Sequence, residues 1–147
     1  MSLHRKMSQV AQFFIDRDKA ISKEKLLTLF LLAETLSLLR WNTPMFGCGY
    51  VAIIENEKPF LKMDELSKAE FGLLRYIWEK YGNYSYQRLK EEIKRNYGIW
   101  EEPRNNKMTV NYEKILNNKG HSKKIAKKID DGIKALNYVD ELFEKVL

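Results

Sequence analysis

Residues 21–46 read ISKEKLLTLFLLAETLSLLRWNTPMF, and on a helical wheel Leu26, Leu27, Leu29, Phe30, Leu31, Leu32, Ala33, Leu36, Leu38 and Leu39 leave no wide polar face. A helix that is apolar all round is stable in water only when other elements wrap it, so this segment predicts a central helix with the rest of the chain packed about it. Thr28 and Glu34 interrupt the run, which falls short of the ~18–20 apolar residues a bilayer core demands. The expectation is a mainly α, compact multi-helix domain around a central apolar helix, with no membrane span.

The flanking pattern fills in that domain. Val10, Phe13 and Phe14 have helical spacing, and the polar step Asp16-Arg17-Asp18-Lys19 separates a short first helix from Ser22, the expected N-cap of the central one. Pro44 is expected to end the central helix. Residues 50–54 (YVAII) and 59–61 (PFL) are β-branched and aromatic and flank Glu55-Asn56-Glu57-Lys58, which predicts a small two-stranded β-hairpin. Ser67-Lys68-Ala69-Glu70 has the form of a capping box, with Leu66 and Phe71 at the positions of a hydrophobic staple, so a helix should begin at Lys68. Phe71, Leu74, Trp78 and Tyr81 form its inner stripe, and Gly82 is expected to supply a left-handed stop. Ser85 opens a further helix through Leu89, Ile93 and Tyr97, closed by Gly98. Residues 99–106 read as loop and 109–116 as a short helix. After the break at Asn117-Asn118-Lys119-Gly120, Ser122 caps a last helix whose stripe runs through Ile125, Ile129, Ile133 and Leu136.

At 147 residues the chain is expected to be one domain, burying roughly 68–70% of its unfolded surface without disulfide or metal. Its single cysteine, Cys48, cannot form an internal bridge, and no secretion signal is visible, which points to a reducing cytoplasm. The net charge of +6 permits contact with nucleic acid or an acidic partner without demanding it, because both signs are mixed through the sequence. Met1-Ser2-Leu3 reads as an expression scar or an alternative start ahead of Met7, and the first six residues are set aside in reading the fold.

The order of these blocks resembles the Panacea domain, the family of SocA-like antitoxins and phage-associated proteins. The resemblance rests on a short apolar first helix (VAQFFIDR), an Ile-Ser start with Lys-Leu-x-x-Leu-Leu character (ISKEKLLTLFLLAE), and the close Thr43-Pro44-Met45-Phe46. A second block agrees in Glu79-Lys80-Tyr81-Gly82, Ser85, Leu89 and Trp100. Where the family carries an Ala-Trp-x-x-Gly-Pro-Val step, this chain has Ile54-Glu55-Asn56-Glu57-Lys58-Pro59-Phe60, without the Trp and Gly. Residues 7–103 thus read as a Panacea-like core and 104–147 as a C-terminal helical extension packed on the same domain. The resemblance implies a bacterial or mobile-element-associated antitoxin that neutralises a cognate toxin by direct protein contact.

The residues themselves point away from catalysis. A nucleophile–base pair or zinc site needs His and Cys, and the chain offers only His4, His121 and Cys48, far apart in sequence. Asp16-x-Asp18 reads as a polar interhelical loop in preference to a cation site, and Glu91-Glu92, Glu101-Glu102 and Asp130-Asp131 as solvated pairs. No enzyme activity, cofactor or metal is expected, and the oligomeric state is left open. Two surfaces are candidates for binding. One is the end of the central helix with the expected hairpin: Trp41, Met45, Phe46, Tyr50, Glu55, Glu57, Lys58 and Phe60. The other is the basic patch Lys119, Lys123, Lys124, Lys127 and Lys128, which with the interleaved aromatic and basic residues 75–97 defines an alternative, a small nucleic-acid-binding regulator.

Overall fold

A computed structural model describes residues 2–54, 65–117, 127–128, 130–136 and 138, with side chains from residue 5 onward. The fold is mainly α-helical with one small antiparallel sheet. Its elements are α1 (Ser2–Arg17), α2 (Lys23–Trp41), β1 (Tyr50–Ala52), α3 (Lys68–Tyr81), α4 (Tyr86–Tyr97), β2 (Lys107–Thr109) and α5 (Tyr112–Leu116). The described residues from 127 to 138 are again helical.

The apolar segment is the hub its composition predicts. Every residue from Leu26 to Leu38 in α2 is buried, and α2 touches α1, α3, α4, α5 and both strands. Ser22 caps it by accepting from the Lys25 N–H at 3.1 Å, and Asn42, at φ 55°, ends it in the left-handed conformation two residues before Pro44. The capping box of α3 is complete: the Ser67 hydroxyl accepts from the Glu70 N–H at 3.1 Å, and Glu70 accepts from the Ser67 N–H at 2.9 Å. Leu66 is buried beside it. Ser85 caps α4, whose inner stripe Leu89, Ile93 and Tyr97 is buried, and Gly98 closes it at φ 63°.

Several expectations are corrected. Residues 2–6, set aside in reading the sequence, belong to α1, which starts at Ser2; Lys6 pairs with Glu70 of α3, and Met7 is fully buried. Gly82 is right-handed, at φ −58°, and its N–H donates to the Trp78 carbonyl at 2.8 Å. A methyl group there would overlap Trp78, so close approach and not handedness requires the glycine. The first strand of the expected hairpin finds a partner far downstream. Tyr50, Val51 and Ala52 pair with Thr109, Met108 and Lys107, while residues 55–64, with the expected second hairpin strand, lie outside the described residues. The true tight hairpin lies at 104–107, where Asn105 and Asn106 take φ 53° and 59° and Arg104 bridges Lys107 in both directions. Because β2 takes residues 107–109, the short helix begins only at Tyr112, capped by Asn111. Val51 and Met108 face the core together, and Lys107 covers the Tyr50 ring on the outer side, 4.0 Å from its centroid.

The C-terminal helical residues pack on α3 and the end of α2. Ile133 and Leu136 lie against the core, Gly132 abuts the Tyr76 ring so closely that a methyl group would overlap it, and Asp130 pairs with Arg40. Ser122, Ile125 and Ile129, on which the expected start of that helix rested, lie outside the description. No helix among the described residues is long and apolar enough to cross a membrane.

Candidate partner-binding surface

The end of α2 is held by a polar network that begins inside the core. Glu34 sits mid-helix with no exposed surface, surrounded by leucines. A carboxylate in such a place is costly unless its oxygens are fully engaged, and they are. Oε1 accepts from the Phe46 N–H at 2.9 Å, while Oε2 accepts from the Gly47 N–H at 2.9 Å and from the Tyr112 hydroxyl at 2.7 Å. The Tyr112 oxygen in turn accepts from the Gly49 N–H at 3.0 Å. Burial, and after it the bond to Glu34, push the Tyr112 phenol far above its ordinary value. Gly47 at φ 74° and Gly49 at φ 84° let successive amides turn inward toward these acceptors. Ser37 adds a bond to the Thr43 carbonyl at 2.7 Å, and the Cys48 thiol donates to the Tyr50 carbonyl at 3.2 Å. The loop at 42–49 is therefore tied to the central helix at both ends.

On this frame Trp41, Phe46 and Tyr50 are each half-buried and packed against the core; Phe46 packs on Phe30, 6.1 Å between ring centroids. Met45 is 3% exposed and belongs to the core, so its side chain is not part of the outer surface. Glu55, Glu57, Lys58 and Phe60 lie outside the described residues, as do Lys119, Lys123 and Lys124. Lys127 and Lys128 are exposed.

In the aromatic–basic region of residues 75–100 several rings lie against cations of the same chain: Arg88 lies 3.6 Å from the Tyr84 centroid, Lys90 5.4 Å from that of Trp100, and Lys25 5.7 Å from that of Trp78. Glu102 accepts from Lys90 at 2.7 Å and from the Trp100 indole at 3.0 Å, and these two bonds hold its carboxyl below the usual range. Burial pushes the Tyr97 phenol up to about 12. A cleft of about 320 Å³ between the start of α2 and residues 102–106 is lined by charges of both signs, Lys23, Glu24 and Glu102, together with Tyr86. Asp16 accepts from Gln12, and Asp18 from the Ala20 N–H at 3.1 Å, so both carboxylates serve local turns. Among the described residues no cluster of three or more His, Cys, Asp or Glu could hold a metal.

Of the four groups central to this surface, Tyr112, Gly47 and Asp130 lay beyond the reading of the sequence. Glu34 was legible as an interruption in an apolar run, and a lone acid in such a helix signals buried donors elsewhere. Nothing local marks Tyr112 or Gly47 as those donors. Asp130, read as half of a solvated pair, is committed to Arg40. Searches against protein-family models, curated proteins and solved structures find no match for this chain.

Proposed function

We propose that the protein is an antitoxin-like binding protein that neutralises a cognate toxin by direct contact and catalyses no reaction. The observation that carries this reading is the clasped loop at the end of α2. A fully buried carboxylate engages two loop amides and a tyrosine, and the segment so fixed displays Trp41, Phe46 and Tyr50 half-buried at the surface. A loop held rigidly on a scaffold and carrying aromatic side chains is suited to recognition, since little ordering entropy remains to be lost on binding. The same segment closes the first block of the Panacea resemblance, which supplies the antitoxin class and the bacterial or mobile-element setting.

The test is co-expression with the product of the neighbouring reading frame. Growth arrest by the neighbour alone, relieved by this chain, together with co-purification of the two, is the expected result. Lack of toxicity, or relief without any complex, overturns the reading. Steeply salt-dependent binding to duplex DNA without relief of arrest would instead favour the alternative of a nucleic-acid-binding regulator.

A further inference from the structure

Between β1 and β2 the chain runs through α3, the connection 82–85 that opens on Gly82, and α4. Both helices lie against α2 and not along each other, which is the arrangement of a helix–turn–helix: two crossing helices joined by a short turn that often holds a glycine. The strands frame this unit. β1 precedes it, and the hairpin turned at Asn105-Asn106 follows it, with β1 paired to the returning strand β2. That hairpin stands beside the second helix. Lys90 of α4 bonds Glu102 at 2.7 Å, the Tyr86 ring lies 6.1 Å from that of Trp100, and Tyr86, Asn105 and Asn106 line one cleft.

The open face of α4 has a definite charge pattern. Leu89, Ile93 and Tyr97 are buried, so the opposite face carries Gln87, Arg88, Glu91, Lys94 and Arg95, all exposed. By helical geometry Glu91 lies at the centre of that face, with Gln87 and Lys94 on one side and Arg88 and Arg95 on the other. The helix carries four cations against two carboxylates, so its field is positive. Arg104 and Lys107, exposed on either side of the Asn105-Asn106 turn, add two more cations on the hairpin.

We propose that α3 and α4 form a helix–turn–helix that lays α4 in the major groove of duplex DNA, with the hairpin turn against the neighbouring backbone. The charge pattern fits that occupant. The B-form major groove, about 12 Å wide, admits a helix between two walls of phosphate and presents base edges on its floor. Cations on both flanks of α4 meet the walls, while Glu91, on the line between them, faces the floor, where a carboxylate can accept from the amino group of cytosine. A-form RNA offers a major groove too narrow for a side chain to read, so the duplex is DNA. The contact proposed at the end of α2 uses other residues, and the inference stands independently of it.

The test is fluorescence anisotropy of a labelled, mixed-sequence DNA duplex titrated with the full chain over a range of NaCl concentrations. Log affinity should fall linearly with log salt, as counterion release demands. Arg88→Gln/Arg95→Gln should weaken binding roughly tenfold or more and make that slope shallower by about two, one for each phosphate contact removed. Lys127→Gln/Lys128→Gln, at the exposed C-terminal lysines, should change neither affinity nor slope, and an RNA duplex of the same length should bind more weakly. Urea midpoints equal to wild type establish that the variants fold; should the α4 pair fall short, Lys94→Gln/Arg104→Gln takes its place with the same expectation. Absence of salt-dependent DNA binding, unchanged affinity in the α4 variant, equal loss in the C-terminal variant, or equal binding of the RNA duplex overturns the proposal. None of these results bears on the co-expression assay, which reads a protein contact.

Discussion

Replacing Glu34 by Gln changes one oxygen for an NH₂ and little in shape, so it isolates the polar network. All three groups facing the carboxylate are donors: the Phe46 and Gly47 amides and the Tyr112 hydroxyl. The glutamine amide must therefore point two hydrogens at one of them. The cheaper orientation puts the nitrogen at the Oε1 position, which keeps the Gly47 and Tyr112 bonds and sets a donor against the Phe46 N–H. That forfeits one charge-assisted bond, worth about 1.5–3 kcal/mol, and leaves a buried N–H unpaired at about 1–3 kcal/mol. Relief from burying a charge offsets part of this, and the expected net loss is about 3 kcal/mol. Tyr112→Phe should cost about 2 kcal/mol, because it strands the Gly49 N–H as well. The two are coupled through one bond, so the double variant should lose about 1–2 kcal/mol less than the sum. Urea titrations followed by far-UV circular dichroism measure all three. If Glu34→Gln unfolds within about 0.5 kcal/mol of the wild type, the network does not hold the loop.

Ser67→Ala should destabilise the domain by about 0.5–2 kcal/mol through loss of the capping box, and a urea midpoint equal to wild type would place the start of α3 elsewhere. Gly132→Ala should cost about 1–3 kcal/mol by pushing on the Tyr76 ring, visible as weakened amide protection at 130–136; unaltered protection would mean the helix does not seat there. Tyr97 carries a pKa of about 12 in the fold against about 10 when unfolded, so its contribution is whole below pH 10 and is lost as the pH rises toward 12. Stability should fall over that window, and Tyr97→Phe should flatten the fall; an equal slope in both proteins would contradict the burial of the phenol. The double variant His4→Ala/His121→Ala should melt like wild type and keep partner binding, and loss of function without loss of stability would reopen a catalytic role.

Legibility of this chain in its sequence follows the range of the interactions. Helix starts at Ser22, Ser67 and Ser85 are local signals, since a hydroxyl three residues before the amide it caps needs no distant partner, and all three are realised. The buried α2 was equally plain, because an all-round apolar run admits one environment. The β1–β2 pairing was not legible because pairing is non-local: residues 50–54 announce a strand, and the partner described for it lies beyond two intervening helices in a three-residue strand that carries only one buried side chain. Residues 99–106 were read as loop without a turn being placed in them, although Asn105 and Asn106 in succession are suited to the left-handed turn they form. Of the candidate surface, Trp41, Phe46 and Tyr50 were visible as apolar residues near a helix end. Their joining to the basic helix through Arg40 and Asp130 was not, because a surface ion pair leaves no pattern in sequence.

The bond from Tyr112 to Glu34 joins positions 78 apart, and the one from Gly49 to Tyr112 positions 63 apart. Closing loops of that size costs entropy before any contact repays it, whereas the capped helices form from neighbours. The clasp and the β1–β2 pairing therefore belong to the last stage of folding, after α2 has gathered the other helices. Weakening the clasp should then leave the folding rate nearly unchanged and raise the unfolding rate by almost the full loss in stability. The loop that the network holds is, on this account, the part of the molecule that governs how long the native state lasts once formed.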